Sequence, residues 1–312
     1  MGPGPQVVAF GECMLELQGQ AFGAMQQTFG GDTLNTAVYL ARCGRARGLN
    51  VAYATAVGDD PLSQGLLDRW QAEGLDLRFV RRLPGRLPGL YLIEVDAHGE
   101  RRFSYWRDQS AARAYFDAPT TPLEAPDGRI DAFYVSGISL AILPLAGRER
   151  LFALAARLRA GGTKIVYDNN HRPRLWPDAS TARDAHARML ALSDIALLTL
   201  DDEMVLGGTP DADEQLARTL ALPCPEVVVK RGAEPSWVRA AGEAPVAVPA
   251  EPVAQVVDTT AAGDSFAGAY LAARLGGASA VAAARAGHRL AARVIQHRGA
   301  LIPRSAMEDL AG

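Results

Sequence analysis

The stretch Asp258-Thr259-Thr260-Ala261-Ala262-Gly263-Asp264-Ser265-Phe266 gathers small residues, a glycine and an aspartate where the chain enters the Ala-rich helical pattern Ser265–Leu275. A turn of that composition sets successive backbone N–H groups at a helix N-terminus, a receptacle for an anion such as phosphate. Asp264, in the same turn, is placed to take the proton of a hydroxyl attacking that phosphate. Taken alone, the turn reads first as an ordinary N-cap aspartate. Residues elsewhere in the chain decide between the two.

Gly30-Gly31-Asp32-Thr33-Leu34-Asn35 leads into the first helical pattern. Its glycines allow close approach of backbone to ligand, and Asp32 and Asn35 can bond sugar hydroxyls. A loop ending in a helix cap has the same composition. The dinucleotide fingerprint G-x-G-x-x-G is absent.

Farther on, Tyr91, Tyr105, Trp106 and Arg107 fall in two strand-like runs. Strand alternation points Tyr105 and Arg107 to one face. A ring and a guanidinium there suit a small anionic polyol, the arginine pairing a carboxylate and the ring covering sugar carbons. A solvated arginine on a surface strand fits equally well.

Asp168-Asn169-Asn170-His171-Arg172-Pro173 ends a buried strand with polar side chains, of which Asn170 and Arg172 can meet both substrate and phosphate. His171, with no triad or metal partner in view, reads as a structural donor. The chain holds two lysines, Lys164 and Lys230. Lys230-Arg231-Gly232-Ala233 opens a turn in which Gly232 permits a tight bend beside a nucleotide, although a plain strand-ending turn reads the same. Neither lysine follows a glycine as a Walker A loop requires, and His171-Arg172 is followed by Pro173 rather than a kinase Asp. The turn Ala261–Asp264 is the phosphate site that remains.

Short apolar runs hold these residues: Val7–Phe10, Val51–Ala56, Ala132–Val135, Lys164–Tyr167, Ile195–Leu200 and Val227–Lys230 read as buried strands. They alternate with helical patterns at Asn35–Cys43, Leu62–Glu73, Arg148–Arg159 and Thr181–Leu192, followed by the pair Ser265–Leu275 and Ser279–Gln296. That alternation predicts an α/β fold with a mostly parallel sheet covered by helices on both faces. The polar clusters fall at the carboxyl ends of strands, where such sheets bind ligands. Leu90–Asp96 and Arg102–Arg107, joined by Ala97-His98-Gly99-Glu100, read as a hairpin standing away from that sheet as a small β lid. We expect one domain over residues 1–312, with lid segments near 11–30 and 84–110.

Composition removes other classes. At 312 residues, 48% hydrophobic and 21% charged, with a net charge of −3, the chain is an ordinary globular one without the basic face of a nucleic-acid binder. Three scattered cysteines suggest neither a zinc site nor a disulfide framework. The N-terminus has no signal-peptide pattern, and no apolar run is long enough to cross a membrane, so the expected location is the cytoplasm.

Together, Gly30–Asn35 and Asp258–Phe266 resemble the paired signatures of the ribokinase-like superfamily of carbohydrate kinases. Gly11–Glu16, Gly31–Ala37, Leu87–Tyr91, Ser136–Leu143, Asp168–Trp176, Leu198–Glu203, Val228–Gly232 and Arg298–Pro303 continue the likeness in order, and are most similar to its branch of 2-keto-3-deoxygluconate kinases. The resemblance implies a three-layer α/β/α domain with a β lid, ATP and Mg2+ as cofactors, and phosphoryl transfer to the 6-hydroxyl of a small sugar acid. It implies Asp264 as base and Ala261, Ala262 and Gly263 as anion hole. Gly31, Asp32, Asn35, Tyr91, Tyr105, Arg107, Asn170 and Arg172 would meet the sugar acid. Asn170, Arg172, Lys230, Arg231, Gly232, Ala233 and the Ala261–Gly263 turn would meet the nucleotide.

The chain departs from the superfamily pattern twice. Ala261 stands where the turn usually has its first glycine. The magnesium-related Asn-x-x-Glu appears as Thr199-Leu200-Asp201-Asp202 with Glu203 next, leaving open whether Asp202 or Glu203 organises the metal. A homo-oligomer formed through the lid is expected.

An aspartate of ordinary pKa, about 3.9, is ionised at neutral pH and accepts the substrate proton late in transfer. Another sugar kinase such as a fructokinase, or a catalytically silent sugar-acid sensor, are the alternatives. The Arg107–Tyr105 pair speaks against the first and an intact Asp264 against the second.

Overall fold

The computed structural model describes residues 4–20, 22–95 and 101–310. Its strands are β1 Gln6–Phe10, β2 Met14–Gly19, β3 Met25–Gly30, β4 Asn50–Val57, β5 Val80–Arg82, β6 Gly89–Val95, β7 Arg101–Trp106, β8 Ala132–Ser136, β9 Lys164–Asp168, β10 Ile195–Thr199, β11 Glu226–Arg231, β12 Glu234–Arg239 and β13 Val246–Val248. The helices are α1 Asp32–Gly44, α2 Pro61–Ala72, α3 Gly137–Ile142, α4 Leu145–Ala160, α5 Ala179–Leu192, α6 Leu200–Gly207, α7 Ala212–Leu220, α8 Ala262–Leu275 and α9 Ala280–Val294.

Nine strands form one sheet in the order β13-β12-β11-β10-β9-β8-β1-β4-β5, parallel from β11 to β5 with β12 and β13 antiparallel at one edge. Apolar runs such as Val7-Val8-Ala9-Phe10 are buried because both faces are covered. Val7 and Ala9 pack with residues of α1, α8 and α9, whereas Val8 and Phe10 pack with residues of α3 to α6 on the opposite face. Helix starts are fixed locally. Asp60 caps α2 ahead of Pro61, Asp178 caps α5 through Thr181 N at 2.7 Å, and Ser279 caps α9.

The chain builds β4 and β5 on one side of β1 and β8 to β11 on the other. The order therefore reverses between β1 and β8, the point where open α/β sheets leave a crevice at their carboxyl ends. Helices α1 and α8 flank it. A Cβ added to Gly268 would lie 2.9 Å from both Leu40 N and Thr36 O, so a glycine is what lets the two helices approach this closely. That contact brings their N-termini, and hence Asn35 and Asp264, side by side.

A second sheet, β3-β2-β6-β7, stands apart, with β2 parallel to β6 and the outer pairs antiparallel. The expected hairpin forms its β6–β7 half, and its turn Ala97–Glu100 lies outside the described residues. Apolar patterning gave no strand for β2 or β3. Four of the six residues of β3 are exposed, so it carries no buried run to recognise. No helix among the described residues is long and apolar enough to cross a membrane.

Candidate active site

A cavity of about 430 Å³ opens at the carboxyl ends of the parallel strands, beneath the second sheet. Gly31, Asp32 and Asn35 line it from α1, Tyr91 and Tyr105 from the small sheet, Asp168, Asn170 and Arg172 from the end of β9, and Lys230 from β11. Thr259 to Asp264 close the far side. A hollow of about 780 Å³ near Gln6, Asn50 and Asp131, at the opposite ends of the strands, holds none of the expected residues.

Asp264 is half-buried, and its Oδ2 accepts from Asn35 Nδ2 at 2.9 Å. Burial, followed by the neighbouring charge of Asp32, pushes its carboxyl up to about 7. Asp168 adds to the rise, while the Asn35 bond and Lys230 oppose it. The expectation of a fully ionised aspartate at neutral pH is therefore corrected. The carboxyl titrates near neutrality because burial leaves it poorly solvated and Asp32 and Asp168 lie close by. Asp32, whose Oδ2 accepts from Asn170 Nδ2 at 2.8 Å, is likewise raised, mainly by burial.

Ala261 sits at φ +60° and ψ 18°, the left-handed region, which explains why glycine is the easier residue there. Ala262 N–H donates to Thr259 O at 3.2 Å, so this amide is tied into the turn and is not the free donor expected of it. Lys230 Nζ donates to Asp168 Oδ2 at 2.7 Å and would lie 3.6 Å from a Cβ on Gly263, placing an ammonium beside the turn. Arg172 reaches the rim, half-exposed and 3.8 Å from Asp202 Oδ1.

Other expectations are corrected by the coordinates. Arg107 does not line the cavity. It is 7% exposed and ion-paired to Glu12, whose other oxygen accepts from Ser110. A buried carboxylate needs a counter-charge, and at the base of the small sheet Arg107 supplies it. Arg231, Gly232 and Ala233 also fall outside the cavity lining. The β11–β12 connection turns away at Gly232, φ +60°, leaving Lys230 as the residue of that group which faces inward.

Glu203 points beneath the site. It accepts from Asn169 Nδ2 at 3.0 Å, and burial raises it to about 7, so Asp202 is the cavity-facing carboxylate of the pair. His171 packs against the ring of His186 at 5.2 Å, consistent with a structural part.

Three contributors had not been singled out as site residues. Asp168 stood in the sequence as a strand-end acid with no partner in view. Arg174 lies over the Tyr105 ring at 4.0 Å and joins the β9–α5 connection to the small sheet. Glu16 accepts from the Tyr91 hydroxyl. Only three-dimensional neighbours identify these residues.

A buried acid beside a helix-start turn, with a lysine and sugar-sized space facing it, is an arrangement for moving a phosphoryl group onto a hydroxyl. Residues 5–307 match the pfkB family carbohydrate kinase pattern. The chain belongs to this family. It is 49% identical over 304 residues to the 2-dehydro-3-deoxygluconokinase of Dickeya dadantii (strain 3937), covering 96% of this chain and 98% of that protein. The enzyme of the same name from Escherichia coli (strain K12) is 47% identical over 305 residues, covering 97% and 98%. Among solved structures, a putative ribokinase II from E. coli in its apo form superposes with a TM-score of 0.83 at 24% identity, over 98% of both chains, and shows that this pfkB-family chain has a ribokinase-like fold.

Proposed function

We propose that this pfkB-family carbohydrate kinase transfers the γ-phosphoryl group of ATP to the 6-hydroxyl of 2-dehydro-3-deoxy-D-gluconate, giving the 6-phosphate and ADP. The observation that carries the reading is Asp264, held by Asn35 at the mouth of the helix-start turn in the same cavity as Lys230. Full-length identity of 47–49% to two enzymes of that activity supports the choice of substrate.

In this reading Asn35 fixes the Asp264 carboxylate, which takes the 6-hydroxyl proton as the oxygen–phosphorus bond forms. A carboxyl poised near 7 suits that task better than one near 4. The turn amides and Lys230 offset charge on the transferring group. Asn170, Arg172 and the Lys230–Ala233 segment approach the nucleotide, the last three of these from outside the described cavity. Gly31, Asp32, Asn35, Tyr91 and Tyr105 surround the sugar, and Arg172 pairs its carboxylate.

The lining fits a cation-bearing triphosphate. Asp32, Asp168, Asp202 and Asp264 face Lys230 and Arg172, and Asp168 Oδ1 is buried without a partner. No three-ligand metal cluster occurs among the described residues, as suits Mg2+ carried largely by phosphates and water. Asp202 and Asp168 would hold its water shell, and when bound it would neutralise phosphate charge.

The outer face of the small sheet, with Leu15, Leu17, Leu90 and the 59%-exposed Trp106, borders a groove of about 770 Å³ that is mostly apolar. A second copy covering it would form a homo-oligomer in the cytoplasm. The activity is tested by ADP release with Mg-ATP and each candidate sugar. The keto sugar acid should exceed fructose in kcat/KM by more than 100-fold, and equal use of fructose would overturn the assignment.

A further inference from the structure

Glu16 and Tyr91 are register neighbours on β2 and β6, and Tyr91 is opposite Tyr105 on β7. The three side chains form a row across the cavity-facing side of the small sheet. Leu15 and Leu17, of opposite parity on β2, border the apolar groove on the other side. Glu16 is 8% exposed and accepts the Tyr91 hydroxyl proton. Gly30 leaves room for that hydroxyl, since a Cβ added there would come within 2.9 Å of it. Tyr91 itself lines the cavity and stacks on Tyr105, ring centroids 5.8 Å apart.

A phenol has one proton to donate. With that proton directed at Glu16, what Tyr91 offers the cavity is a lone pair. We infer that Glu16 is a specificity-determining positioning residue, which fixes Tyr91 as a hydrogen-bond acceptor for a sugar hydroxyl and makes this wall of the site repel carboxylate. The sugar acid then binds in one polarity, hydroxyl towards Tyr91 and carboxylate towards the donor Arg172 on the rim. Freed from Glu16, the phenol could turn its proton to the cavity and bond a carboxylate just as well, so the acceptor state depends on the acid behind it.

This inference rests on the sugar-acid kinase reading, and the wild-type enzyme tests that reading separately. If wild type neither binds nor phosphorylates 2-dehydro-3-deoxy-D-gluconate, the substrate assignment fails, whatever the variants do. If it does, Glu16→Leu, which removes the acceptor, and Tyr91→Phe are compared, alone and combined, by steady-state kinetics, with the melting midpoint recorded for each.

Glu16→Leu is expected to raise KM for the sugar acid about 5–10-fold, as for loss of one hydrogen bond. KM for ATP and kcat should stay within about twofold. Tyr91→Phe should do the same, and the double variant should be no worse than Tyr91→Phe, because Glu16 acts through that hydroxyl. The methyl ester of the sugar acid, assayed as a ligand by calorimetry, separates the polarities. The Tyr91→Phe penalty persists with the ester if Tyr91 accepts from a hydroxyl, and disappears if it donates to the carboxylate. Multiplying effects in the double variant, an unchanged KM in Glu16→Leu, or a penalty lost with the ester would each overturn the inference.

Discussion

The crevice of the main sheet and the wall made by the small sheet face the same cavity but are built in opposite ways. In the crevice, charged groups sit at strand ends and helix starts whose backbone is buried and shared with the core, as with Asp168 on β9 and Lys230 on β11. Burial first, and then the neighbouring acids, raise Asp264 to about 7. In the wall, each side chain is held by a partner from another segment: Tyr91 by Glu16 on β2, Tyr105 by Arg174 of the β9–α5 connection, and Arg107 by Glu12 between β1 and β2. The crevice is suited to chemistry and the wall to recognition. Substitutions in the first should therefore act on turnover, and in the second on sugar affinity.

The largest expected effect lies in the crevice. Asp264→Asn keeps the shape and the Asn35 contact but removes the proton acceptor, and should lower kcat by about 10²–10⁴-fold with the sugar KM little changed. Turnover within tenfold of wild type would end its assignment as base. The same group gives a pH signature. Because its folded-state pKa is raised, the protonated form is favoured, and kcat/KM for the free enzyme should fall as pH drops through about 7. The stability contribution runs in the opposite direction. The folded state holds the proton between about 4 and 7 while the unfolded chain does not, so this group's contribution to stability declines as pH rises across that window. Asp264→Asn should flatten both profiles, as measured by initial rates and by melting from pH 5 to 8.

Arg172 comes next and probes the border between the two regions. Arg172→Ala should raise the sugar-acid KM by about 10–100-fold, the loss of a charge-assisted bond of ~1.5–3 kcal/mol, and should raise the ATP KM less. Equal increases would count against selective recognition of the sugar acid by Arg172. A smaller effect is expected at the outer face of the wall. Trp106→Asp places a charge on the exposed apolar side and should shift sedimentation towards monomer while weakening sugar binding a few-fold. A wild type that sediments as a fully active monomer at micromolar concentration would remove the link between assembly and affinity. The smallest effect belongs to Ala261→Gly. Relief of the left-handed backbone, offset by the greater freedom of glycine when unfolded, should raise the melting midpoint by about 1–2 °C and leave kcat within about twofold.

The same contrast governs what was legible in the sequence. The parallel strands were readable because burial on both faces leaves unbroken apolar runs, and the crevice residues were readable because they follow those runs directly. Asp264, Asn35, Asp32 and Lys230 all line the one cavity. The wall was less legible. β3 is polar and exposed, and strand parity could not reveal that the residue after Tyr105 on that face, Arg107, would meet the buried acid Glu12 from the β1–β2 connection. The resemblance likewise drew Glu203 into the metal site along with Asp202, though neighbouring helix positions, about 100° apart, aim the two in different directions.

The parallel pairing of β2 with β6 has a kinetic consequence. Glu16 and Tyr91 are 75 positions apart, and α1, β4, α2 and β5 lie between them. No local hairpin can nucleate that half of the small sheet, and the loop it closes is entropically costly until the intervening units have docked. The catalytic crevice should therefore assemble first and the recognition wall last. In refolding experiments, burial of Trp70 in the main body should precede recovery of sugar affinity. A partly folded chain would then hold its base and phosphate turn in place before it can tell one sugar from another.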